Sequence, residues 1–232
     1  MEKVRSELWK VLIQMMKNKR LFFSYANAFV IVMFSVLALF LLNGIRLMAV
    51  LAVCGIESVR IIFEKQFVNR AENKQKNASN QDNNSFVWIQ WSIITYYIFT
   101  LSEVFISNFN KSLVNIFLGT LLAVFAIVIR HYSYKILGEY FSLKVVIKEN
   151  HKLMTTGIYS RVRHPLYLGI LIMYLGYITI CFSICGLIVF VVFLLPAYIN
   201  RINTEEKVLM ERFGEQYKDY MDVTHKLIPF IW

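Results

Sequence analysis

At 232 residues, 57% of them hydrophobic, and with a mean hydropathy of +0.52, the chain carries more apolar side chain than a soluble domain, for which roughly 45–50% is usual. The net charge of +10 does not gather in any single soluble basic segment, which excludes nucleic-acid binding as its main use. Cys54, Cys181 and Cys185 lie in or beside apolar blocks without the spacing of a zinc site or a disulfide framework, so they read as small buried hydrophobes and no metal is expected.

The apolar residues fall in blocks, and a membrane-crossing helix needs roughly 20 of them in a row. Residues 21–42 hold no charge. This block is too long for the apolar part of a signal peptide and has no small-residue cleavage site after it, so it reads as a first span. Asn43-Gly44 then predicts a tight turn and hence a helical hairpin with the second block, residues 45–63. That block contains Arg46, Glu57 and Arg60. Charges inside a span need partners or a cavity, and Glu57 and Arg60, three residues apart, are expected to neutralise each other on one helix face. Residues 64–85, rich in Asn, Gln, Lys and Ser, read as a polar connection. Blocks three and four cover 86–106, with Glu103 inside, and 113–129. The connection 130–165 keeps its own apolar and aromatic residues, as functional loops of that length usually do. Blocks five and six, 166–182 and 184–199, are short and close together. Residues 203–222 predict an amphipathic helix, with Leu209, Phe213, Tyr217 and Tyr220 or Met221 at helical spacing and a mild interruption at Gly214. Helices are required because backbone groups in hydrocarbon must be satisfied within their own segment, and the alternation of a barrel strand is missing.

Charge placement orients these spans. Of the 25 Lys and Arg residues, 22 lie before the first block, between blocks two and three, between four and five, or after six. The other connections hold only Arg46 and Lys111, and Arg60 is inside a block. Positive residues stay in the cytoplasm, so both termini and the 130–165 connection are expected there. The fold class is therefore all-α: a polytopic integral membrane protein with about six transmembrane helices (five to six), a cytoplasmic loop and a C-terminal amphipathic helix. Its home is a bacterial cytoplasmic membrane or an endoplasmic reticulum membrane.

The densest polar chemistry follows the fourth block. His151-Lys-Leu-Met-Thr-Thr-Gly-Ile-Tyr159 runs into Arg163-His164-Pro165-Leu-Tyr167-Leu-Gly169. After the short apolar hairpin come Arg201-Ile-Asn-Thr-Glu205-Glu206 and Phe213-Gly214-Glu-Gln-Tyr217-Lys-Asp-Tyr220, with Ile228-Pro229 at the end. Over residues 140–230 this resembles the isoprenylcysteine carboxyl methyltransferase family of membrane enzymes, whose wider group includes phospholipid N-methyltransferases. The resemblance implies methyl transfer from S-adenosylmethionine. It implies that His151, Lys152, Leu153 and Met154, Tyr159, the segment His164, Pro165, Leu166 and Tyr167, and Glu205 contact the cofactor, and that Arg201 faces the substrate. A glutamine that the family carries upstream of His151 has no clear equivalent. The resemblance also divides the chain into N-terminal membrane helices, 1–130, and a catalytic region, 131–232.

These residue types suit that cofactor. A zwitterion with a cationic sulfur needs a carboxylate, hydrogen-bond donors and aromatic surface. In-line methyl transfer demands alignment above all. An acceptor carboxylate is already nucleophilic and needs only a clamp such as Arg201. A hydroxyl or amine acceptor would need a base, for which the histidines or Glu206 are candidates.

Each piece alone has a plainer reading. Arg163-His164-Pro165 is equally a positive anchor with a proline opening a span. Asn203-x-x-Glu206 fits a capping box. Arg201 and Glu205, one turn apart, fit an ion pair. The expected partners are a lipidic methyl acceptor entering from the bilayer and membrane lipids. First among acceptors is a prenylated cysteine carboxylate or a similar lipidic acid, then another lipidic amine, hydroxyl or thiol. A membrane reductase using a nicotinamide cofactor shares a similar C-terminal layout and is the competing enzyme class; a transporter or scaffold is the third.

Overall fold

A computed structural model describes residues 19–74, 85–107, 112–141 and 152–228. Among these the regular structure is helical: α1 (Lys19–Leu41), α2 (Gly44–Lys74), α3 (Ser85–Ile106), α4 (Leu113–Leu137), α5 (Pro165–Cys181), α6 (Ile184–Phe213) and α7 (Glu215–Asp222), with 3-10 turns at Gly138–Tyr140 and Gly157–Ser160. Helices α3, α4 and α6 are long and apolar enough to cross a membrane, and Ala26–Leu41 of α1 and all of α5 are apolar but shorter. Large apolar side chains such as Phe40, Phe117, Phe125 and Val192 point outward, as they do when lipid is the solvent.

The helix ends follow from local chemistry. Ser112 caps α4, its Oγ accepting from the Asn115 amide at 3.3 Å. Pro165 opens α5, where its missing N–H costs nothing. Glu103 ties α3 to the start of α6, accepting from Ser183 Oγ at 2.5 Å and from the Cys185 amide at 2.9 Å. A carboxylate there offsets the positive end of α6.

Small residues let α4 and α5 touch. A Cβ on Gly119 would lie 2.5 Å from the Gly176 carbonyl oxygen, and one on Gly176 would lie 2.7 Å from the Gly119 carbonyl oxygen. Ala123 and Ala126 continue the seam, both fully buried. Lipid offers no hydrophobic drive for helix association, so close backbone approach supplies much of it. Behind the seam Tyr96, Tyr97, Tyr174 and Tyr177 pack edge to face, and the Tyr96 hydroxyl donates to the Tyr174 carbonyl at 2.7 Å.

Several expectations need correction. Residues 64–74, read as the start of a polar connection, are the last turns of α2, which runs to Lys74. Residues 130–137, read as the start of a loop, are the last two turns of α4. The C-terminal amphipathic helix does not begin at residue 203, because α6 runs unbroken from the sixth block through Phe213. Asn203 is therefore interior and caps nothing. Gly214 is a full break rather than a mild one: its φ of +52° suits glycine alone, and α7 starts after it. Nor is Glu57–Arg60 an isolated pair. Arg60 does hold Glu57, with Nε to Oε2 at 2.9 Å, but it also reaches Glu64 at 2.8 Å, and Glu64 in turn binds Arg130.

Inside α6 the Leu195 amide donates to the Phe190 carbonyl, five residues back, which makes Phe190–Leu194 a π turn. Pro196 follows and cannot donate to the chain behind it. One extra residue in a turn rotates all that follows by roughly 100°, and so sets which face of α6 carries Arg201 and Glu205.

Candidate functional site

Two elements build the site: the first turn of α5 and the polar third of α6. Positions 201 and 205 are four apart and share a helix face. Both meet Tyr167. The Tyr167 hydroxyl donates to Glu205 Oε2 at 2.7 Å and accepts from Arg201 Nε at 3.3 Å. Arg201, 5% exposed, also donates from Nη1 to Ser85 Oγ at 3.1 Å, which brings the start of α3 into the site.

Glu206 is the second centre. His164 Nε2 lies 3.1 Å from its Oε1, Arg163 Nε donates to the same oxygen at 3.0 Å, and Lys226 Nζ sits 2.9 Å from Oε2. Burial pushes this carboxyl up, but the His164 hydrogen bond and charge, then Lys226 and Arg163, outweigh it and hold the group at about 2. The sign follows: a carboxyl depressed by folding stabilises the fold above its unfolded value near 4.5, and that contribution is lost as pH falls toward 2. The melting temperature is therefore expected to drop through that window, and Glu206→Gln to make the drop shallower. Equal slopes in the two proteins would contradict the assignment.

The C-terminal tail is clipped to the same place. The Arg163 amide donates to the His225 carbonyl at 2.8 Å, the His225 amide to the Arg161 carbonyl at 3.0 Å, and the His164 amide to the Lys226 carbonyl at 3.2 Å. Arg163 Nη1 donates to the Met221 carbonyl at 3.0 Å and to the carbonyl of Thr224. The Tyr220 hydroxyl donates to the Tyr159 carbonyl at 2.6 Å, tying α7 to the 157–160 turn.

Four buried hydroxyls have no hydrogen-bond partner among the described residues: Tyr97 and Thr100 lie within α3, and the other two, Tyr159 and Tyr217, feel the charge of Glu205. Burial raises both pKa values, and the negative charge of Glu205, joined at Tyr217 by Glu206, raises them further. Both therefore stay protonated, as donors. An unpartnered buried hydroxyl costs about 1–3 kcal/mol, a cost that a ligand with acceptor oxygens at this junction would offset. Donors, carboxylates and the rings of His164, Tyr167 and Tyr198 around one junction fit a zwitterionic cofactor.

Of the residues singled out from sequence, Tyr159, His164, Pro165, Leu166, Tyr167, Arg201 and Glu205 line or adjoin this junction. Lys152 is exposed and Leu153 and Met154 are half-buried on the approach to the 157–160 turn; among the described residues no hydrogen bond links them to the carboxylates. His151 lies outside the described residues. Sequence reasoning did not assign Arg163, Ser85, Tyr217 or Lys226 to the site. Arg163 and Tyr217 stood within the quoted motifs and were legible there. Ser85 and Lys226 carried no local signal, since only tertiary packing brings them in.

Residues 117–211 match the model of the isoprenylcysteine carboxyl methyltransferase (ICMT) family. Protein-S-isoprenylcysteine O-methyltransferase B of Arabidopsis thaliana is 35% identical over 126 residues, 54% of this chain and 60% of that protein. The Saccharomyces cerevisiae protein-S-isoprenylcysteine O-methyltransferase is 34% identical over 116 residues, 49% of this chain and 48% of that one. The Mus musculus protein of the same name is 27% identical over 180 residues, covering 75% and 63%. The chain thus spans about two-fifths to three-fifths of the length of the curated relatives it matches. A solved structure of a eukaryotic intramembrane Ras methyltransferase superposes with a TM-score of 0.58 at 19% identity, over 97% of this chain and 86% of that one, so the two share a fold.

Proposed function

We propose, for a chain whose residues 117–211 match the model of the isoprenylcysteine carboxyl methyltransferase family, that it is a membrane methyltransferase that esterifies the carboxylate of a prenylated cysteine or a similar lipidic acid. The observation that carries this reading is the junction at Tyr167. One buried hydroxyl joins Glu205 and Arg201, within the stretch matched to the family, and the hydroxyls of Tyr159 and Tyr217 both feel the negative charge of Glu205.

S-adenosylmethionine, when bound, supplies a methyl group on a positively charged sulfur. The chain's residues do the positioning. Glu205 offers a carboxylate to the donor's ammonium or ribose hydroxyls. Tyr159 and Tyr217 offer hydroxyl protons to acceptor oxygens. Arg201 would hold the acceptor carboxylate in the plane of its guanidinium, leaving one oxygen lone pair directed away from the arginine and free to take the methyl group. No proton moves, so the site needs no general base, and Glu206, already engaged by Arg163, Lys226 and His164, serves structure. The region 131–232 is the catalytic part. The spans number about six, with both termini and the junction facing the cytoplasm, as the distribution of Lys and Arg favours. The donor then arrives from the cytosol and the lipidic acceptor from the bilayer.

Titration of the detergent-purified chain with S-adenosylmethionine and with a reduced nicotinamide dinucleotide tests the reading. Binding of the first and not the second is expected; the reverse would sink it in favour of a reductase. Arg201→Ala is expected to lower turnover roughly 10–100-fold, the range for losing hydrogen bonds to a charged group, while donor Kd stays within about threefold. Equal losses in both would take Arg201 away from the acceptor.

A further inference from the structure

The buried ions of α2 and α4 have no part in the chemistry above. Glu57, Arg60, Glu64 and Arg130 balance two negative charges with two positive ones. Arg130 Nε donates to Glu64 Oε1 at 2.5 Å and Nη2 to Oε2 at 2.8 Å, while Nη2 also reaches the Tyr134 hydroxyl at 2.8 Å. Glu64 is held from its own helix by Arg60 at 2.8 Å. Arg130 and Glu64 are 8% and 9% exposed. A charge pair so far from water gives little net stability compared with apolar packing, so stability alone does not account for it.

The remaining nitrogen of Arg130 points to another role. Nη1 donates to the Leu166 carbonyl at 2.8 Å. Leu166 stands between Pro165 and Tyr167 in the first turn of α5, the turn whose His164 and Tyr167 bond Glu206 and Glu205. The approach depends on Gly169: a Cβ there would lie 2.5 Å from Arg130 Cγ. The arginine stem thus crosses α5 where α5 has no side chain. A guanidinium carries five N–H donors in a rigid fork. Two bonds to Glu64 fix its plane, and a further N–H then meets the Leu166 carbonyl at a set position. Lysine offers no such plane.

We propose that Arg130 is a positioning residue: oriented by Glu64, it pins the first turn of α5 through the Leu166 carbonyl, so that His164 and Tyr167 meet the acidic pair of α6 in register for the methyl donor. The inference rests on the methyl-donor reading of that junction. It makes α2, outside the stretch matched to the family, part of what prepares the cofactor site. Misplacement of a site by about 1 Å can cost on the order of 100-fold, so the effect is measurable.

The test uses the full chain, purified in detergent, with equilibrium binding of labelled S-adenosylmethionine and separate KM values for donor and acceptor. The double variant Glu64→Gln/Arg130→Gln exchanges the ions for amides that can bond each other and strands no buried charge. Donor Kd is expected to rise about tenfold or more, with acceptor KM within about twofold and melting within a few degrees of the parent. Arg130→Lys, which keeps the charge balance, is expected to show a smaller rise in donor Kd. Unchanged donor Kd in both folded variants, or donor and acceptor KM rising together, overturns the proposal. Should the double variant not fold, Arg130→Lys decides alone, an unchanged donor Kd again counting against it. Failure of the unmodified chain to bind the donor at all would defeat the underlying methyl-donor reading instead, so the two failures are told apart.

Discussion

Glu205→Ala is expected to raise the Kd for S-adenosylmethionine by about one to two orders of magnitude, with melting lowered by only about a few degrees. Hydrogen bonds to a charged group are worth roughly 1.5–3 kcal/mol, and the Glu205 carboxylate is the acidic group that Tyr167 presents to the junction, 2.7 Å from its hydroxyl. Removing it takes away the partner for a cationic ligand and leaves the Tyr167 hydroxyl one bond short. Glu205→Gln separates the two effects, since the amide oxygen can still accept from Tyr167 while the negative charge is gone. The glutamine variant should therefore recover part of the binding but not all of it. Isothermal or radioligand titration of the purified variants reads this directly. A donor Kd within twofold of the parent in the alanine variant would remove Glu205 from the cofactor site.

The second large effect is structural. Gly176→Leu is expected to destabilise the fold by at least about 3 kcal/mol, at the upper end of the usual cost of overpacking. The site is unforgiving because the first atom added meets backbone: the Gly119 carbonyl oxygen at 2.7 Å and the Ala123 amide nitrogen at 3.1 Å. Neither can rotate aside as a flexible side chain would. The two helices must separate, and with them the seam that carries α5 to its first turn. Gly55→Ala provides the contrast. Nothing lies within 4 Å of a Cβ at that position, and alanine is the better helix former by roughly 0.5–1 kcal/mol, so this variant should melt at or slightly above the parent. Similar melting of the two variants would mean that α4 and α5 do not pack through their glycines.

Much of the fold could be read from the chain because hydropathy is a local property. The uncharged run 21–42 and the block at 86–106 became helices with bounds near those expected, the block at 113–129 began its helix where expected, and Asn43-Gly44 separated α1 from α2. What escaped was set by contacts distant in sequence. Arg130 looked like a cation marking the edge of a span, yet it is buried against Glu64, 66 residues away, and α4 continues past it. Asn203 and Glu206 had the spacing of a helix cap, but α6 had begun some twenty residues earlier, so Glu206 was free to collect His164, Arg163 and Lys226. The π turn before Pro196 left no trace in composition, although it turns the face that carries Arg201 and Glu205.

The candidate site divides the same way. Tyr159, His164, Tyr167, Arg201 and Glu205 stood out as residue types in a recurring order. Lys226 could not: it reaches Glu206 because the backbone of 225–226 pairs with that of 161–164, and no local spacing encodes such a pairing. Ser85 is likewise an ordinary helix-start serine until Arg201 is seen to donate to it.

The most direct measurement is incubation of the purified chain with methyl-labelled S-adenosylmethionine and a prenylated cysteine bearing a free carboxylate, followed by mild base. Label that moves into the lipid fraction and is then released by base as methanol is the expected result, because only a methyl ester is so labile. Label that enters the lipid but resists base, or never leaves the donor, would contradict carboxylate methylation at the Tyr167 junction.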